Sequence, residues 1–163
     1  MKNLLLILFP CFSLCSFSQI NTVMPPEANT FYGKAMPAIK SRIKNIIERN
    51  ALKLKGRIIN SDSLSKALAK KSLLKNATPE DLQAIVVLIM VQVYQNADAD
   101  LKNLVIHMSK SEEEISTGNA GGESVEEKRV DRILANKSRI AEEISLVMKR
   151  ISGSQDVVID NLK

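Results

Sequence analysis

Eight consecutive apolar residues, Ala84 to Val91 (A-I-V-V-L-I-M-V), constrain this chain more than any other stretch outside its N-terminus. A segment apolar on nearly every side must be surrounded by protein, so the remaining elements have to pack around it. The run lies inside Pro79 to Met108, whose start reads Thr78-Pro79-Glu80-Asp81. That start combines a capping hydroxyl, a proline at the position where its missing N–H costs nothing, and two acids at the positive end of the helix dipole. Two other readings compete. Ile85 to Ile89 is β-branched enough for a buried strand, but no second run with hairpin chemistry exists to pair with it. A membrane span needs ~20 apolar residues, and this run ends at Gln92. A central core helix is the reading that remains.

The first residues read as an export signal. Lys2 supplies the charge, Leu4 to Phe17 the apolar segment, and Ser16-Phe17-Ser18 a small-x-small cleavage site. Cleavage is expected after Ser18, or after Gln19 as the close alternative, which places the product in the periplasm or outside the cell. Cys11 and Cys15 both fall in residues 1–18, and the residues before them do not form a lipobox. The mature chain therefore carries no cysteine for disulfides or thiolate metal sites, and its stability must come from packing. Its aromatics are Phe31, Tyr32 and Tyr94, so the core is aliphatic, which favours helix on helix over a sandwich or barrel.

Taken in order, residues 19–36 read as an extended arm, because Pro25-Pro26 resists helix. A single helical domain is expected over residues 37–155. Its first helix starts near Pro37 on the spacing of Ile39, Ile43, Ile46, Ile47, Asn50 and Leu54, and stops at Gly56. A second, shorter helix follows Asn60 to Ser63, with Leu64, Ala67, Leu68, Leu73 and Leu74 on one face and Lys66, Lys70, Lys71 and Lys75 on the other. The central helix, about residues 79–111, carries a seam of Leu82, Val86, Ile89, Val93, Ala97, Leu101, Leu104 and Met108. Residues 109–123, rich in Glu and Gly, read as a flexible loop. The last helix, residues 124–152, opens on the capping box Ser124 to Glu127 and repeats Val130, Ile133, Lys137, Ile140, Ile144, Val147 and Ile151 in alternating steps of three and four. The two long helices match in length as an antiparallel hairpin, with residues 156–163 a short amphipathic tail.

Charge is divided unevenly. Lys34 to Lys75 holds twelve Lys or Arg against Glu48 and Asp62, a net of +10, while Asn76 to Lys163 carries a net of −5. The first two helices are thus a basic unit on a mildly acidic hairpin. A basic unit of this kind suits anionic partners, with Lys66, Lys70, Lys71 and Lys75 as the candidate contacts. Nucleic acid is disfavoured, because Arg is sparse there and no aromatics interleave.

Catalytic and metal chemistry find no foothold. His107 is the sole histidine and has no Glu three residues before it. Asp98-Ala99-Asp100 opens like a calcium loop, but Lys102 and Asn103 occupy positions that need an oxygen ligand and a glycine. The Glu pairs 126–127 and 142–143 read as solvated charge, and Gly118 to Gly122 lacks the Lys and strand of a phosphate loop. No catalytic residue, cofactor site, metal site or small-molecule substrate is predicted. Lys137, the one polar residue in the last seam, is either a snorkelling lysine at the bundle edge or a determinant of register and oligomeric state. In size, export and basicity the chain is similar to small periplasmic coiled-coil chaperones, but none of their motifs occurs in it. The expected function is a non-enzymatic structural or protein-interaction role in the bacterial cell envelope, through protein partners or self-association. The alternative is a basic helical binder of anionic membrane surfaces or clients.

Overall fold

The computed structural model describes residues 23–114 and 125–163, so the leader and its cleavage site lie outside the described residues. Every element among these residues is helical: α1 (Pro26–Ala38), α2 (Ser41–Leu54), α3 (Ser61–Ala69), a 3₁₀ turn (Ser72–Leu74), α4 (Pro79–Glu114), α5 (Val125–Ile151) and α6 (Gln155–Leu162). The chain is all-α.

Helix α4 touches each of the other five helices, with α5 its most extensive neighbour. By length and composition it could cross a membrane, but every side chain from Ala84 to Val91 is at most 1% exposed. Its apolar surface is therefore taken up by protein. The start of α4 is held as the sequence indicates. Thr78 Oγ1 accepts from the Asp81 N–H at 3.1 Å, and the Asp81 carboxylate accepts from the Thr78 N–H at 2.9 Å. Asp81 is buried, and its other oxygen accepts from Asn161 Nδ2 of α6 at 3.1 Å. Gly56 ends α2 with φ +70°, a conformation that glycine adopts without strain.

Several expectations are corrected. The described part of the expected extended arm (residues 19–36) is largely a helix from Pro26 on, since Pro26 occupies the first turn of α1, where a missing N–H costs nothing. Ala28, Phe31 and Ala35 recur at steps of three and four, all are buried, and α1 packs on α4. The next helix starts at Ser41 rather than Pro37. Pro37 closes the last turn of α1, and the extended Lys40 donates its N–H to the Leu162 carbonyl of α6 at 3.1 Å. The second basic helix ends at Ala69, and Leu73 and Leu74 belong to the 3₁₀ turn, where Leu74 is buried and Leu73 faces solvent. Residues 109–114, assigned to a loop, continue α4, and residues 115–124 lie outside the described residues. The tail is a docked helix, with Val158, Ile159 and Leu162 buried.

Polar contacts tie the shorter helices down. The Tyr32 hydroxyl of α1 donates to Gln92 of α4. Burial and the nearby Glu48 carboxylate push the Tyr32 pKa above its ordinary value. Glu143 of α5 accepts from the Ser61 N–H at 3.4 Å, and Arg150 pairs with Asp62 at 2.9 Å, so α5 secures the first turn of α3.

Candidate anion-binding face

Helix α2 sorts its residues by period. Ile46, Ile47 and Ala51 are buried, while Arg42, Arg49 and Lys53, separated by steps of seven and four, share an exposed stripe that borders the buried face at Ile46. These three cations lie along one edge of α2, and the 3₁₀ turn runs beside them. Together they border a groove of about 480 Å³, lined by Arg42, Asn45, Ile46, Arg49, Asn50 and Lys53 from α2 and by Lys71, Ser72 and Leu73. Among the described residues no carboxylate lines it. At ~1.5 Å per residue the row from Arg42 to Lys53 spans roughly 16 Å. A second hollow of about 580 Å³ shares Arg42, Ile46, Ser72 and Leu73 and continues past Lys40 toward Asp81 and Asn161.

The groove rather than pairing sets these four cations apart, since among the described residues Lys55 is the one cation from Lys34 to Lys75 with an ion-pair partner. Lys55 pairs with Asp100 at 2.8 Å. Among the described residues, Arg42, Arg49, Lys53 and Lys71 have no carboxylate within ion-pair distance. Two arginine forks and two ammonium groups on one wall-to-wall groove suit an anion with several oxygens, because guanidinium binds carboxylate or phosphate in a bidentate manner.

Of the four lysines singled out from sequence, only Lys71 borders this groove. Lys66, Lys70 and Lys75 are exposed outside its lining. The helical reading of Lys66 to Lys75 as one face fails because α3 stops at Ala69. Arg42, Arg49 and Lys53 went unrecognised as a set, although their spacing on α2 was readable. What was not readable is that residues 71–73 would lie alongside them.

Lys137 of α5 reaches α4, with its side chain only 14% exposed. Its ammonium bonds to Asp98 and sits 4.6 Å from the centre of the Tyr94 ring. Asp98 and Asp100, the false calcium loop, are thus partners of Lys137 and Lys55. Among the described residues no three His, Cys, Asp or Glu side chains gather as a metal site, and His107 lies exposed on α4. Compared with protein-family models, curated proteins and solved structures, the chain matches none.

Proposed function

We propose that this chain is an exported, non-enzymatic interaction protein of the bacterial cell envelope that engages an anionic partner through the groove of α2. In this reading the architecture is a bundle built on an antiparallel hairpin of α4 and α5, with the basic α2 and α3 packed on it. Support for the hairpin comes from the extensive α4–α5 contact and from the Lys137–Asp98 bond between them. The functional reading rests on one observation: four cations from two separate elements, none with a carboxylate partner among the described residues, border one groove. Surface cations that serve solubility alone have no reason to line up beside a hollow, whereas a polyanion site requires it. Nucleic acid is disfavoured because Phe31 and Tyr94 are buried and Tyr32 is bonded to Gln92, which leaves no ring among them for base stacking.

The test is fluorescence anisotropy with a soluble labelled polyanion, polyglutamate. Binding is expected at low ionic strength and should fall steeply as salt rises, since the Debye length shrinks from ~10 Å at 0.1 M to ~3 Å at 1 M. Changing Arg42, Arg49, Lys53 and Lys71 together to Gln should abolish it, while the same change at Lys66, Lys70 and Lys75 should leave most of it. If the native chain binds neither polyglutamate nor anionic lipid vesicles at low salt, the anionic-partner reading is wrong. The purely structural reading then stands, with Val105, Ile106 and Leu134 as exposed apolar residues available for association.

A further inference from the structure

The groove cations do not stand alone on their face. Leu73, a lining residue of the groove, is 59% exposed, and Leu52, three residues beyond Arg49 on α2, is 67% exposed. Residues three apart on a helix are surface neighbours, so Leu52 adjoins Arg49 on the solvent side. Two bare leucines, one on α2 and one on the 3₁₀ turn, therefore flank a row of cations that have no carboxylate partner among the described residues. Soluble polyanions would be served by the cations alone and give the leucines nothing to bury.

We infer that this face docks on an anionic lipid bilayer, with Arg42, Arg49, Lys53 and Lys71 meeting lipid phosphates while Leu52 and Leu73 enter the apolar layer beneath the headgroups. The inference rests on the anionic-partner reading above and specifies its partner. The charge pattern and the apolar pattern both match the membrane interface. Cations are drawn to the negative surface potential, and apolar side chains on the same face are buried at the headgroup–acyl boundary. The face comes from two short elements that are separate in sequence, so docking does not require α4 to leave its packed position. The two arginines direct the contact toward phosphate oxygens, which their planar forks accept two at a time.

The natural chain has no tryptophan, so a single introduced tryptophan reports its own surroundings. Leu73→Trp and Leu52→Trp proteins are titrated with vesicles of phosphatidylglycerol and phosphatidylcholine, and with vesicles of phosphatidylcholine alone. A Val105→Trp protein serves as the reporter away from this face, since Val105 is exposed on α4. The expected result is a blue-shifted emission at positions 52 and 73 with the anionic vesicles only, and quenching by brominated acyl chains. Position 105 should stay unshifted. Each of the four cations changed to Gln should weaken binding about five-fold, the fold-change that corresponds to the usual contribution of one cation near an anionic surface. Leu52→Ala with Leu73→Ala should weaken binding by a larger factor than Val105→Ala. Vesicle binding without a spectral shift at either leucine position overturns the inference. So does binding to polyglutamate but not to vesicles, and that outcome leaves the anionic-partner reading intact. Failure to bind either overturns both.

Discussion

The inner and outer stretches of α4 are one continuous helix in which apolar side chains meet opposite fates. From Leu82 to Tyr94 the helix is buried at nearly every position, and Ala84 to Val91 are essentially inaccessible. From Asp98 to Ser109 only Leu104 is buried, at 9% exposure, while Val105 and Ile106 are 51% and 43% exposed. Helix α5 repeats the division: Ile140 to Ile151 supplies six buried residues, and Val125 to Arg139 none. The difference follows the neighbours. The inner stretch has Asn161 of α6 at Asp81 and Tyr32 of α1 at Gln92. Helix α2 ends where Lys55 meets Asp100, and the chain turns away at Gly56. At that level a cavity of about 270 Å³ opens between α4 and α5, bordered by Lys55, Val93, Ala97, Arg132 and Ile140. Beyond it, apolar residues such as Leu101 and Met108 are only partly buried. Apolar character in a helix thus produces burial only as far as other elements extend beside it.

This comparison can be broken most directly at its two ends. Ile89→Ala, at 0% exposure, should lower the unfolding free energy by about 2–5 kcal/mol, whereas Val105→Ala should cost less than about 0.5 kcal/mol. Urea melts of the two variants decide it. An equal cost would mean that the outer stretch is covered, as it would be in an assembly of several copies.

Polar anchoring should show the same contrast at a smaller scale. Asp81→Ala removes a buried carboxylate that accepts from both the Thr78 N–H and the Asn161 amide, and hydrogen bonds to a charged group are the stronger kind, so a loss of about 1–3 kcal/mol is expected. Asp98→Ala removes a partner of Lys137 at a half-exposed site, where such pairs contribute only about 0–1 kcal/mol. Were the two substitutions equally mild in thermal melts, the junction of α4 and α6 would not be part of the cooperative core.

Lys137 stands at the border between the two stretches. Because Asp98 and Tyr94 satisfy its charge within the chain, Lys137→Leu should change stability by less than about 1 kcal/mol and leave the mass by light scattering unchanged. A higher mass would instead make Lys137 a determinant of oligomeric state that holds the outer stripe apart.

The smallest effect is a pH dependence on the inner side. The folded Tyr32 pKa is raised above its unfolded value by burial and then by Glu48, so its stabilising contribution is complete below the ordinary tyrosine range, ~10. It is lost as pH rises from there through the folded pKa, because the unfolded chain then releases the proton first. Melts of the native chain and of Tyr32→Phe should converge toward alkaline pH. Parallel curves across that range would show that the phenol does not titrate differently in the two states.

The sequence by itself determined what is settled within a turn or two of helix. The apolar run at Ala84 to Val91 specified the central helix, Thr78 and Asp81 marked its start, Gly56 marked a stop, and the steps of three and four put Ile140, Ile144, Val147 and Ile151 in the core. These patterns are legible because capping and i, i+3, i+4 neighbours are local interactions. Tertiary structure alone decided which elements cover which length of α4. It made the Pro25-Pro26 segment a helix start, since Ala28, Phe31 and Ala35 gain a packing partner there, and it broke the lysine-rich stretch after Ala69. It also moved the candidate site. Lys66, Lys70, Lys71 and Lys75 are neighbours in sequence, but the groove joins Lys71 to Arg42, Arg49 and Lys53 from a different helix. Side chains some twenty to thirty residues apart meet only through the packing of the elements between them, and no local pattern of charge encodes that meeting.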